Sequence, residues 1–333
     1  MADRRTVVAR RMRTIPALVG LFVVSWTLSP ALLVAAAAVD VVRAATRRTP
    51  WMATRLVGML LAYVTAEAYG LAALGAVWIA TIGAPRSRFR GSFAVQRMWA
   101  GMLFWSVRRI FGLRLVVDGE QEAADAPFLL VSRHASIIDN LLPSQLVSAP
   151  FGIHVRYVIK DELLSDPAID VGGTRLGNYF VRRGSGEREL EPLREFARNT
   201  SPDEAILIFP EGTRFTDEKR RRALDRLDRR SPRLGALAAG MTDVLPPRPG
   251  GTIALLEGRP TDVVLLAHRG LEGFASVGDI WRGAMVGRTI RARLTRIPLA
   301  AIPDGRADRA EWLFERWAEM DAWIRSEPDE EPA

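Results

Sequence analysis

The chain of 333 residues contains three histidines, and one of them, His134, follows the apolar run Phe128 to Val131 in the stretch VSRHASIIDN, with Asp139 five residues further on. On a regular helix an offset of five rotates a side chain by about 140°, so the two would not share a face. They meet only across a turn. If a strand ends near Ser132 and a helix begins near Ser136 or Ile138, the imidazole sits at the strand's end and the carboxylate in the first helical turn. An imidazole oriented by a carboxylate is a general base. Ser136 lies close enough to be a nucleophile, but a helix-capping role is preferred for it.

Further polar residues end other apolar runs. FPEGTR at 209–214 follows AILI, so Glu211 and Arg214 flank a tight turn at Gly212 and Thr213. Arginine grips phosphate through two parallel bonds, which lysine does not reproduce. In GNYFVRRG at 177–184, Arg182 and Arg183 end another run, and strand alternation sends only one of them to any given face. Lys160 closes VRYVI as a third cationic candidate.

The absence of cysteine excludes disulfides, thiolate nucleophiles and cysteine-held metal or iron–sulfur sites. No metal site is expected. A net charge of +8 suits either nucleic acid or an anionic membrane, and the N-terminal third decides for the membrane. Ile15 to Val39 holds no charged residue and is long enough to cross a hydrocarbon core of about 30 Å. It also exceeds the apolar core of a secretory signal. Leu56 to Ile82 is interrupted only by Glu67, which is expected to face protein or the interface. Arginine clusters precede, separate and follow these runs (Arg4 to Arg13, Arg43 to Arg55, Arg86 to Arg97). Two crossings would leave the middle cluster on the wrong side, whereas a re-entrant arrangement keeps all three together, and Pro30 is a possible break in the first helix.

After about residue 90 the character becomes globular. Leu115–Val117, Phe128–Val131, Val155–Ile159, Tyr179–Val181, Ile206–Phe209 and Val263–Leu266 read as buried strands, with helical stretches at Glu187–Arg198 and Glu218–Leu227. Alternation of this kind predicts an α/β domain. Leu313, Trp317, Met320 and Ile324 share one face of a C-terminal helix that is expected to dock on the core. The expected division is a membrane-anchoring helical region over 1–88, a catalytic domain over 89–326 and an acidic disordered tail over 327–333.

His134, Asp139, Arg183, Glu211 and Arg214 all fall at ends of expected strands, where open α/β sheets place their ligand crevices. HASIID, GNYFVRR, FPEGTR and VLPPRPGG occur in the order of the four blocks of the lysophospholipid and glycerolipid acyltransferase family, which the chain resembles over about residues 115–300. EGTRFTDEK, LPPRPGG and KDELL resemble its lysophosphatidate and lysocardiolipin acyltransferase branch. The resemblance implies a mixed, mostly parallel sheet flanked by helices, and an O-acyltransferase that moves an acyl chain from acyl-CoA or acyl carrier protein to a lysophospholipid hydroxyl, without a cofactor. It implies catalytic roles for His134 and Asp139, and substrate binding by Arg183, Glu211, Gly212, Thr213, Arg214 and Lys160. 1-Acylglycerol-3-phosphate is the expected acceptor, with lysophosphatidylglycerol and lysocardiolipin as alternatives. The expected partners are membrane lipids and no nucleic acid, with the catalytic domain on the cytoplasmic face. A hydrolase of the same cleft, or a non-catalytic binder of anionic lipid, is the competing reading. Arg133, where the family commonly has Asn, is the departure, and is expected to add positive charge beside the base.

Overall fold

The structure is a computed structural model and describes residues 4–47, 50–182, 184, 186–274 and 277–326. By its contacts the chain divides into two compact, discontinuous units. One comprises Met1–Leu113, Ile159–Arg183 and Ile280–Val286; the other comprises Arg114–Val158, Gly184–Asp279 and Gly287–Ala333.

The first unit is built on three long helices, α1 (Arg4–Arg47), α2 (Met52–Ala80) and α3 (Pro85–Phe111), in which α2 packs against both neighbours. Pro30 does not break α1. A proline lacks the N–H that would bond the carbonyl four residues back, and here that carbonyl, of Trp26, accepts instead from Ser29 Oγ at 2.7 Å. Trp26 Nε1 then donates to Thr65 Oγ1 at 2.9 Å, tying α1 to α2. The turn between them is set by Asp40, the first charge after the apolar run. It accepts from the backbone N–H groups of Met52, Ala53 and Thr54 at 3.0, 2.9 and 2.8 Å, satisfying the otherwise orphaned donors that open α2. Glu67 faces protein, accepting from Trp99 Nε1 at 2.9 Å.

Of the seven strands among the described residues, the second unit holds five whole and most of a sixth. These are β1 (Arg114–Asp118), β2 (Phe128–Ser132), the first part of β3 (His154–Lys160), β5 (Glu204–Ile208), β6 (Asp262–Arg269) and β7 (Thr289–Ile297), in the sheet order β1-β7-β6-β2-β5-β3. The remaining strand, β4 (Tyr179–Val181), belongs to the other unit. Neighbours are parallel except β6 and β7, which run antiparallel. β2 is buried along its whole length, because Leu130 is flanked by Leu207 on one side and Val264 on the other.

β7 lies outside the expected strands. Its buried Ile290, Ala292 and Leu294 alternate with Arg291, Arg293 and Thr295, so no contiguous apolar run marks it. In the C-terminal helix Arg306–Ser326 the stripe Leu313, Trp317, Met320 and Ile324 is buried, as a docking face requires. The acidic tail lies outside the described residues.

Asp40→Ala removes three N–H bonds at once. It is expected to lower stability by about 1–3 kcal/mol and to speed proteolysis at the α1–α2 turn, while Asp40→Asn loses less; denaturation midpoints check both.

Candidate active site

β2 delivers His134 to the end of the sheet, and the chain reverses into a short 3₁₀ turn, Ile138–Leu141, that returns Asp139 to it. His134 Nδ1 and Asp139 Oδ2 are 3.1 Å apart, with the carboxylate fully buried and the imidazole 15% exposed. Ser136 spends its polar groups on the same turn. Its N–H donates to Asp139 Oδ2 and its hydroxyl to Oδ1, both at 2.7 Å, and the hydroxyl oxygen accepts from Ile138 N–H at 3.0 Å. That occupation leaves Ser136 a turn-forming residue.

Asp139 has a second imidazole beside it. His268 Nε2, at the end of β6, lies 3.6 Å from Oδ1 and 3.2 Å from the Arg133 carbonyl. Both neighbours only accept, so Nε2 carries the proton. Burial by itself would raise the Asp139 carboxyl, but the two histidines and the Ser136 N–H outweigh it and hold the group below the ordinary aspartate range. A carboxylate held ionised in this way fixes His134 with its proton on Nδ1. Nε2 is left as the basic nitrogen, and Phe209 stacks on the ring at 4.6 Å between centroids.

The FPEGTR turn grips His134 by its backbone. Glu211 Oε1 accepts from His134 N–H at 2.9 Å, and Phe215 N–H donates to the His134 carbonyl at 3.0 Å. Glu211 Oε2 accepts from Leu245 N–H at 3.2 Å, while Arg248 N–H donates to the Pro210 carbonyl at 2.8 Å, so the LPPR segment is fastened to the same turn. Glu211 is 1% exposed and both its oxygens are engaged by backbone. Through these bonds it ties the loops together. Gly212 makes the reversal, with φ of +67° and its N–H donating to the Phe209 carbonyl at 3.0 Å.

Arg214 and Thr213 are partly exposed at this turn. Among the described residues the Arg214 guanidinium makes no ion pair, and the Lys219 ammonium donates to the Arg214 backbone carbonyl at 3.0 Å. Burial, then the charge of Arg214, lowers the Lys219 pKa. Arg183 lies outside the described residues, and Lys160 is an exposed residue closing β3, in the first unit.

Arg133 does not add charge beside the base. Its guanidinium is buried and bonds the His268 carbonyl and Glu272 Oε1 at 2.5 Å each and the Asp243 carbonyl at 2.8 Å, so Glu272 neutralises it. Asp321 of the C-terminal helix holds the same segment by accepting from Thr242 and Asp243 N–H at 3.0 and 2.6 Å. His268, Glu272 and Asp321 escape sequence reasoning, since none sits in a recognisable spacing; for His268 the only signal is its place at the end of an apolar run.

Residues 114–263 match the acyltransferase family. This stretch is an acyltransferase domain. The acyltransferase domain has curated relatives. The lyso-ornithine lipid O-acyltransferase of Pseudomonas aeruginosa is 30% identical over 47% of this chain and 58% of its own. The 1-acyl-sn-glycerol-3-phosphate acyltransferase of Saccharomyces cerevisiae is 25% identical over 49% of this chain and 54% of its own. The chain thus spans little more than half the length of these two relatives. The crystal structure of the 1-acyl-sn-glycerophosphate acyltransferase of Thermotoga maritima shares the fold, with a TM-score of 0.54 and 16% identity over 83% of this chain and 99% of that one.

Burial pushes the Glu211 carboxyl up to about 8 from 4.5, against the pull of the His134 N–H, the Arg133 charge and the Leu245 N–H. A carboxyl with a raised folded pKa gives stability that is complete below about 4.5 and is lost as pH rises through about 8. The wild-type denaturation midpoint is therefore expected to fall between pH 5 and 8, and Glu211→Gln to flatten that fall, as denaturation measured across this range would reveal.

Proposed function

We propose that the protein is an O-acyltransferase that moves a fatty acyl chain from an acyl thioester, acyl-CoA or acyl carrier protein, to the free hydroxyl of a lysophospholipid. The observation that carries this reading is an imidazole fixed by a buried, ionised carboxylate with its far nitrogen unengaged by Asp139. His134 Nε2 takes the hydroxyl proton as that oxygen attacks the thioester carbonyl. The tetrahedral adduct collapses with cleavage of the C–S bond, and the imidazolium returns the proton to the leaving thiolate. Asp139 stabilises the imidazolium in between. Thiolate leaves readily, so the route uses no acyl-enzyme and no cofactor.

The acceptor in this reading is 1-acylglycerol-3-phosphate, and the product phosphatidate. Arg214, unpaired among the described residues and backed by Lys219, supports a phosphomonoester site at the FPEGTR turn, to which Gly212 and Thr213 contribute backbone and hydroxyl donors. Arg183 and Lys160 are assigned to substrate binding on the family pattern. The Pseudomonas aeruginosa relative motivates a second acceptor, a lysolipid with an ornithine head, whose recognition would not need that cationic turn.

The first unit supplies membrane attachment. α1 exposes Val19, Val23, Trp26, Val34 and Val42. Both ends of the α1–α2 hairpin are held by other segments of the same unit. At the turn, Arg43 Nη2 bonds the Trp281 carbonyl at 2.9 Å, its guanidinium stacks on the Trp281 ring at 3.9 Å, and Arg55 bonds the Ile110 carbonyl. At the far end, Arg10 and Arg11 bond Asp170. This supports insertion from one side, with all three arginine clusters on the cytoplasmic face.

Purified His134→Ala is expected to lose about 10²- to 10⁴-fold in kcat with acceptor binding retained, and Asp139→Asn to lose less. Arg214→Lys should raise the acceptor KM and leave the donor KM nearly unchanged. Full activity in His134→Ala would sink the mechanism, and a lysolipid panel that spares lysophosphatidate but acylates lyso-ornithine lipid would replace the acceptor. The chain's lack of cysteine makes topology directly readable: Thr46→Cys and Ser87→Cys are both expected to react with an impermeant maleimide in inside-out vesicles only. Labelling from opposite faces would establish a crossing.

A further inference from the structure

Two of the arginine clusters that bracket the apolar helices come together on one short helix of the first unit, Pro167–Arg175. Arg10 Nε and Nη2 bond Asp170 Oδ2 and Oδ1 at 2.9 and 2.8 Å, and Arg11 Nε and Nη2 bond the same two oxygens at 3.2 and 3.0 Å. Asp170 is fully buried, whereas the two arginine side chains keep 21% and 30% of their surface. Two further guanidiniums, both partly exposed, join them. Arg175 Nη1 donates to the Leu74 carbonyl of α2 at 2.6 Å, and Arg88 Nη2, from the first turn of α3, donates to the Thr81 carbonyl at 3.0 Å. The Nε of Arg88 is buried and has no partner among the described residues, and neither Arg88 nor Arg175 has an ion pair there.

The array is thus short of negative charge. Arg10 and Arg11 share the one carboxylate of Asp170, and Arg88 and Arg175 have no ion pair among the described residues, so four positive charges are set against one negative. Burial, reinforced by Arg11 and Arg88, holds the Arg175 guanidinium below its ordinary range, and no carboxylate works the other way. Partly desolvated like charges with spare N–H donors are costly unless an anion completes them. Arg10 and Arg11 also lie four to five residues before Ile15, where the uncharged run begins, a distance of about 6–8 Å along a helix. That is the depth at which a phospholipid carries its phosphate.

We propose that Arg10, Arg11, Arg88 and Arg175 form a binding site for a phosphoryl group, supplied by the headgroup of an anionic phospholipid in the membrane to which this unit attaches. Asp170 orders two of the four guanidiniums, and the N–H donors that Arg88 and Arg175 do not spend on backbone carbonyls remain for the phosphate oxygens. The site is independent of the chemistry assigned to His134 and stands if the acyl-transfer reading fails.

The test uses the full chain in neutral sugar-detergent micelles. A few mole per cent of phosphatidylglycerol is expected to raise the thermal midpoint by about 5 °C, the size of shift a ligand near saturation produces. Arg88→Gln and Arg88→Gln/Arg175→Gln should lose most of that rise. Arg229→Gln/Arg230→Gln, at exposed positions of the helix Asp217–Arg230, should keep it. Diacylglycerol, with chains and no phosphate, should give no rise. An equal rise with inorganic phosphate at matched concentration would overturn the headgroup as source, and an equal rise with diacylglycerol or in Arg88→Gln would overturn the site. Should the variants fail to fold, the wild-type titration still decides, because no rise with phosphatidylglycerol refutes the proposal.

Discussion

The candidate active site depends on one buried carboxyl group, that of Glu211. It accepts from the backbone of His134 through one oxygen and of Leu245 through the other, so a single side chain fastens the loop carrying the base to the LPPR segment. Three chain segments widely separated in sequence are brought to one point by bonds to backbone, which are indifferent to the side chains presented there. A base must be held to a fraction of an ångström, and loops achieve this only when their own N–H and C=O groups are satisfied by something rigid. Phe215 completes the grip by donating to the His134 carbonyl.

Around that hub the charges are arranged in alternation. Asp139 lies between two imidazoles, Arg133 between Glu272 and two carbonyls, and Asp321 below the Thr242 and Asp243 N–H groups. Each buried charge has an opposite charge or aligned dipoles beside it, the condition under which buried ions persist. Burial and the neighbouring Arg133 lower the His268 pKa against the pull of Asp139.

The first unit solves a different problem with the same means. A long apolar helix with a proline in its middle stays continuous because Ser29 supplies the hydrogen bond that Pro30 lacks, and the hairpin closes because Asp40 supplies the acceptors that the start of α2 needs. Within the same unit Trp99 Nε1 donates to one oxygen of the buried Glu67.

By itself the sequence determined the alternation of elements, the two apolar helices, the turn between His134 and Asp139, and the order of blocks that marks an acyltransferase domain. Each of these is encoded locally: a strand buried on both faces must be a continuous apolar run, as β2 is, and a turn must carry residues that bend the chain, as Gly212 does. What the tertiary structure decided is everything that joins distant segments. β7 was hidden because a half-buried strand alternates Ile and Arg without forming a run. Glu211 reads in sequence as a ligand-binding carboxylate and is in the fold a clamp on backbone, while Arg133 reads as an extra charge at the base and is an ion-paired tie. His268 beside Asp139, and Arg10 and Arg11 on Asp170 about 160 residues away, have no spacing to betray them. The partner of a buried charge is chosen by proximity in space, and proximity between residues far apart in the chain is created only when the core packs.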